Sequence, residues 1–125
     1  MIDPSPRHFQ GKTSYLAGLS AEEAVWRVYQ AQGLTQAARR WRGASGEIDM
    51  ILRDTTRVVF VEVKKSKSFD QAAASLSQGQ MTRLLATASE FLGAEPDGLL
   101  TDSRFDVALV DGFGQVRILE NALLA

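Results

Sequence analysis

Acids and a lysine in the segment "GEIDMILRDTTRVVFVEVKK", residues 46–65, are spaced so that they could meet on one surface. The segment reads as two strands joined by a polar turn. Acids are poor strand formers, yet Glu47, Asp49 and Glu62 all fall at strand positions. If Asp54 and Arg57 close the turn with Thr55 and Thr56 at its tip, Ile51 faces Phe60, Asp49 faces Glu62 and Glu47 faces Lys64. Directly opposed residues have Cβ atoms about 5 Å apart, and like charges there are destabilising. Two carboxylates so placed call for a cation. Mg²⁺ fits that demand, because it takes one or two carboxylates and completes its shell with waters and phosphate oxygens. Side chains alternate along a strand, so Phe60, Glu62 and Lys64 share one face while Val59, Val61 and Val63 pack on a core. The plain alternative is a solvated sheet face with a Glu47–Lys64 ion pair. It leaves the Asp49–Glu62 apposition without a reason.

A third acid belongs to the preceding helix. Tyr15, Leu19, Trp26 and Tyr29 recur at helical spacing up to Gly33, a natural C-cap. The helix begins at 14, or restarts at 20, where Ser20 and Glu23 form a capping-box pattern. Glu22 lies three residues after Leu19 and four before Trp26, within the apolar stripe, whereas Glu23 lines up with Arg27 and Gln30. A carboxylate on a core-facing stripe is costly unless paired or coordinated. Glu22 therefore either bonds an arginine at the stripe's edge or joins Asp49 and Glu62.

Composition narrows the chemistry. At 125 residues the chain suits one domain with a real core. No apolar run approaches the roughly 20 residues that cross a bilayer and no secretory signal precedes the first helix, so a cytoplasmic protein without a membrane partner is expected. There is no cysteine and a single histidine, His8. Thiolate sites and histidine-rich zinc sites are thereby excluded, and a bound metal would be a hard one held by oxygen. Net charge is −1, but residues 39–67 hold 8 of the 14 Lys/Arg and 4 of the 15 acids. A positive surround with embedded carboxylates suits a polyanion bound beside a metal.

The rest of the chain supplies the scaffold. Residues 1–13 read as a loose arm with two prolines, and 14–125 as a single domain. Residues 34–42 form a first strand that ends in "RRWR", and the hairpin follows as strands 47–53 and 57–64. After a polar, Ser/Ala-rich link, Met81, Leu84, Leu85, Ala88, Phe91 and Leu92 make an apolar helical stripe. "GAEPDG" breaks it, "RFDVALVD" is a fourth strand, "GFGQ" a turn and "VRIL" a short last strand. The fold class expected is α/β, with a mixed sheet, because the second helix permits a parallel crossover to the fourth strand.

"GEIDMI", "FVEVKK" and "RFDVALV", in this order and at these spacings, resemble the YraN-like family of small bacterial proteins, over nearly all of residues 14–120. That family is assigned to the PD-(D/E)XK nuclease superfamily, near the Holliday-junction-resolvase-like nucleases. The resemblance implies a restriction-endonuclease-like αβββαβ core. Its signature maps onto Asp49 and Glu62-Val63-Lys64, with Glu22 as an accessory helical acid. It implies a metal-dependent endonuclease for DNA, branched or damaged DNA included, in which Asp49, Glu62 and the Val63 carbonyl hold Mg²⁺ or Mn²⁺. Lys64 would orient the attacking water, and Glu22 would hold a second ion or position Lys64. Where many relatives carry a lysine at the start of the second helix, this chain has Gln80, which either positions a phosphate or water, or completes a capping box with Ser77. Arg39, Arg40, Arg42 and Lys65 are candidate backbone-phosphate contacts, with Trp41 either stacking on an unpaired base or packing on the core. The alternative function is a weakly active or inactive nucleic-acid-binding module that serves a partner, which could be a second copy of the chain or another protein.

Overall fold

The computed structural model describes residues 20–55 and 57–123. The expected arm at 1–13 and the helical positions Tyr15 and Leu19 lie outside the described residues. Helix α1 is described over residues 20–31. It stops because Gly33 takes φ +90°, a left-handed conformation that costs glycine nothing. Leu34 N–H then donates to the Tyr29 carbonyl at 3.2 Å and Gly33 N–H to the Gln30 carbonyl at 3.0 Å. These are the two closing bonds of a Schellman turn.

Five strands form one sheet in sequence order: β1 (Thr35–Arg42), β2 (Glu47–Asp54), β3 (Arg57–Lys65), β4 (Ser103–Val110) and β5 (Val116–Leu119). β3 and β4 pair in parallel and the other neighbours antiparallel, so the sheet is mixed, as expected. The parallel pair needs a long crossover. It is supplied by α2 (Phe69–Ala74), α3 (Gln78–Leu92) and a 3-10 turn (Gly98–Leu100). The link expected after β3 thus contains a helix. Only Ala72 of α2 is buried, so six residues gave no periodicity to count, but Ser68 Oγ accepts Gln71 N–H at 3.1 Å as its N-cap. Among the described residues no helix is long and apolar enough to cross a membrane.

The sheet is covered on both faces. Ala21, Val25 and Tyr29 of α1 pack on Met50, Leu52, Val59 and Val61. Leu84, Ala88 and Leu92 of α3 pack with Ala72 on Val58, Phe60, Phe105 and Val107. Full burial of one such side chain stabilises by roughly 1.5–3 kcal/mol, which is what fixes the helices against the strands. Leu85, expected on the apolar stripe of α3, is 40% exposed.

One buried polar network ties the layers together. Asp106 on β4 has no exposed surface and accepts from Tyr29 Oη at 2.8 Å, Arg104 Nε at 2.9 Å and Asn121 N–H at 3.0 Å. It links α1 to the sheet and to the C-terminal turn. Hydrogen bonds to a charged group contribute about 1.5–3 kcal/mol. Tyr29→Phe is therefore expected to cost about 2 kcal/mol in urea unfolding. A variant as stable as the wild type would show that this bond contributes nothing net.

Candidate active site

The hairpin has the register that its turn residues dictate. Asp54 pairs with Arg57 and Ile51 with Phe60, and the ladder runs as far as Met50–Val61. Beyond that point the Asp49 side chain takes over, and its Oδ2 accepts Val63 N–H at 2.8 Å. Strict alternation lapses at the same place. Ile48 and Ile51 share the α3-side core, while Met50 and Leu52 lie in the α1-side core.

The result is a tight pair of carboxyls. Glu62 is 8% exposed, with Oε2 3.7 Å from Lys64 Nζ and Oε1 buried without a hydrogen-bond partner. Burial, and then the neighbouring Asp49 charge, push the Glu62 carboxyl up to about 8. Asp49 is raised by burial and drawn back down by the Val63 N–H. Two acids this close and this buried do not both ionise freely. An orphaned, buried carboxylate oxygen beside a second carboxylate is also what a divalent cation needs. The donor set fits that group.

Glu22 reaches the edge of the pair. The buried stripe of α1 is Ala21, Val25 and Tyr29, so Glu22 sits on its flank with half-buried Trp26. Burial and the Asp49 charge raise its carboxyl, yet its Oε1 accepts from Arg40 Nη2 at 3.2 Å. Arg40 adopts φ +48°, a conformation that costs a non-glycine residue about 1–3 kcal/mol. Among the described residues no group of three or more acidic, His or Cys side chains could hold a metal. The structure thus brings Asp49, Glu62 and Lys64 together, and leaves Glu22 beside them, bonded to an arginine.

The three arginines among the candidate phosphate contacts are engaged by acids. Arg39 Nη2 lies 3.5 Å from Glu23 and Arg42 Nη2 2.9 Å from Glu47. Glu47 therefore pairs with Arg42, and Lys64 faces Glu62, in place of a Glu47–Lys64 bridge. Lys65 is exposed at the end of β3. Trp41 meets Phe91 edge-on at 5.4 Å, and Phe91 meets Phe60 at 5.8 Å. That packing puts the indole in the core.

Helix α3 forms the opposite wall. Ser77 Oγ caps it by accepting the backbone N–H of Gln80 at 3.1 Å. Gln80 lines a cavity of about 200 Å³ together with Gly46, Glu47, Glu62, Arg83 and Thr87. A second cavity of similar size, between α3 and β4, is lined by Phe60, Leu85, Phe105 and Leu123 and contains none of the site acids.

Two contributors are not among the residues singled out from the sequence. Glu90 of α3 accepts Ala44 N–H at 2.8 Å and Ser45 N–H at 2.9 Å. The Ser45 and then the Ala44 N–H hold its carboxyl below the usual range. A Cβ on Gly43 would stand 3.0 Å from that carboxylate, and one on Gly46 3.2 Å from Thr87 Oγ1. The "GASG" loop is thereby pressed onto α3, which sets where β2 begins and so where Asp49 lies. Arg83 is the second. Its signal was the i, i+3 spacing from Gln80 on one helical face.

A model of the uncharacterised protein family UPF0102 matches residues 21–110, which span every site residue from Glu22 to Glu90. A UPF0102 protein of Cereibacter sphaeroides is 61% identical over 92% of this chain and 98% of its own length. A UPF0102 protein of Roseobacter denitrificans is 56% identical over 98% of this chain and 95% of its own. Another, from Ruegeria pomeroyi, is 56% identical over 90% of this chain and 92% of its own.

Proposed function

This chain belongs to the UPF0102 family, and from the site it carries we propose that it is a metal-dependent endonuclease that hydrolyses phosphodiester bonds in DNA. One observation carries the reading. Where the β2–β3 ladder ends, the Asp49 and Glu62 carboxyls are neighbours that act on each other's charge, and one buried oxygen, Glu62 Oε1, has no protein partner. Evolving such a pair for stability alone makes no physical sense, because it destabilises the sheet that holds it.

Asp49, Glu62 and the Val63 carbonyl would hold Mg²⁺ or Mn²⁺. Bound there, the ion would supply Lewis-acid polarisation of the scissile phosphate and acidify water. The chain's own residues do the remainder. The Val63 N–H fixes the Asp49 carboxylate on its strand. Lys64, 3.7 Å from Glu62, keeps a positive charge where the pentavalent phosphate gains negative charge, and orients the water that attacks. Glu22, bonded to Arg40, adds negative potential beside Asp49 and steadies the site's edge. The exposed Arg42–Glu47 bridge is the kind that contributes little, so Arg42 is free to exchange Glu47 for a backbone phosphate, with Lys65 beside it. A cytoplasmic location suits such a substrate.

The test is incubation with single-stranded, duplex and branched DNA, with and without Mn²⁺, beside an Asp49→Ala control. Cleavage that needs both the ion and Asp49 is expected. Cleavage that survives Asp49→Ala would come from a contaminant or another site. A second reading, a nucleic-acid-binding module with a nuclease-like fold, is favoured by one feature: Glu22 is spent on Arg40, so the acid pair lacks a third carboxylate. DNA binding without cleavage, and without any response to Mn²⁺, would select it.

For Arg40 and Arg42, replacing both by alanine is expected to weaken DNA binding modestly, about threefold, because each already satisfies a carboxylate in the free protein. Fluorescence anisotropy at several salt concentrations measures this. A hundredfold loss would mean that these ion pairs open fully on binding.

A further inference from the structure

The arginines of β1, β2, β3 and β4 are all held by carboxylates: Arg39, Arg40, Arg42, Arg53, Arg57 and Arg104. Arg83 on α3 differs, because it forms no ion pair among the described residues, and it is the only basic residue lining the cavity beside Glu62. Its Nη1 lies 3.5 Å from where a Cβ on Gly79 would stand. The guanidinium therefore folds back over the first turn of α3, the direction helical side chains take. That turn carries the helix's partial positive charge and contains no acid. A cation laid over a positive helix end is disfavoured in the bare protein and becomes favourable once an anion joins it.

Across the cavity stands Glu62, buried, with an unpartnered Oε1. The acidic wall admits a phosphate only when a cation intervenes, so the α3 wall is where phosphate oxygens find direct partners. We infer that Arg83, with the Gln80 side chain beside it, is the residue that binds the DNA backbone phosphate entering this cavity. This rests on the nuclease reading for its substrate. Gln80 lacks a charge, and Arg83, one turn further along the same face, supplies it. A planar fork with several N–H donors also matches two phosphate oxygens at once, which a lysine ammonium does not.

The test uses the full chain and fluorescently labelled duplex and single-stranded DNA, with Ca²⁺ in place of Mg²⁺ so that binding is read without turnover. Arg83→Ala and, as a second variant, Arg83→Gln should each weaken binding about five- to tenfold and lower the slope of log affinity against log salt by about one. Arg83→Lys should restore the slope and part of the affinity. Where cleavage occurs, Arg83→Ala should raise KM about tenfold with kcat nearly unchanged, a split expected for lost substrate binding. Wild-type affinity and slope in both variants would overturn the assignment and leave the nuclease reading standing. The same result would follow if affinity fell in the alanine, glutamine and lysine variants alike with no change in slope, since that marks a structural defect. If wild type cuts nothing with Mn²⁺ yet Arg83 variants lose one unit of slope, the nuclease reading fails and the phosphate contact stands. A wild type that binds no DNA overturns both.

Discussion

Lys64→Ala is expected to lower DNA cleavage by about a hundred- to a thousandfold, while DNA affinity stays within about twofold of wild type. Lys64 is three-quarters or more buried, on the same face of β3 as Glu62 and close to its Oε2. A charge there acts on the reacting phosphate through a low-dielectric medium, where an electrostatic interaction is worth far more than at the surface. It contributes little to docking, which depends on contacts spread along the backbone. Lys64→Arg restores the charge but not the compact ammonium, so recovery should be partial. Single-turnover cleavage beside anisotropy binding separates the two effects. Equal losses in both would make Lys64 a binding residue, and an unchanged rate would remove it from the chemistry. Its removal also takes a neutralising charge from the acid pair, so Mn²⁺ affinity needs measuring in the same variant.

How far the residues themselves announced this site depends on the range of the forces involved. The hairpin was readable because its register follows from a short turn and from side-chain alternation, both local. Gly33 and Ser77 were readable for the same reason, since a cap is decided within one helical turn. The parallel step from β3 to β4 followed from the length of the crossover. What escaped was set by neighbours distant in the chain. Nothing near Glu22 shows that Arg40, 18 residues on, will bond it. Nothing near Glu90 shows that it will hold a loop 45 residues back. The α1 stripe was placed one residue too far along because large Trp26 outweighed small Ala21, although Ala21 is the better buried. For Arg83 the spacing to Gln80 was present, but its meaning depends on α3 lying against the end of the hairpin. Local patterns placed the carboxyl pair, and long-range packing decided which neighbouring charges are already engaged.

Asp49→Asn separates function from stability most sharply, because the two should move in opposite directions. Cleavage should fall by at least about a hundredfold, since one of two carboxylates that could hold the ion is gone. The metal-free protein should nonetheless become more stable, by about 1–2 kcal/mol, or several degrees in Tm, near pH 8. An asparagine keeps an oxygen for the Val63 N–H and offers an amide to Glu62 in place of a repelling charge. The pH dependence fixes the cause. Glu62 has its carboxyl raised from 4.5 to about 8 on folding, so the folded state binds the proton more tightly than the unfolded state. Its contribution to stability is fully present below about pH 4.5 and is lost as pH rises through about 8. The advantage of Asp49→Asn should therefore be small near pH 5 and grow towards pH 8. Mn²⁺ should reverse the ranking, because at a hundredfold excess over Kd it adds about 2.7 kcal/mol to a protein that binds it and nothing to one that does not. Thermal unfolding of both proteins at several pH values, with and without Mn²⁺, measures every part of this. An Asp49→Asn variant that is less stable at pH 8 would show that the carboxyl pair is a net structural asset. Equal gains from Mn²⁺ in both proteins would place the ion away from Asp49.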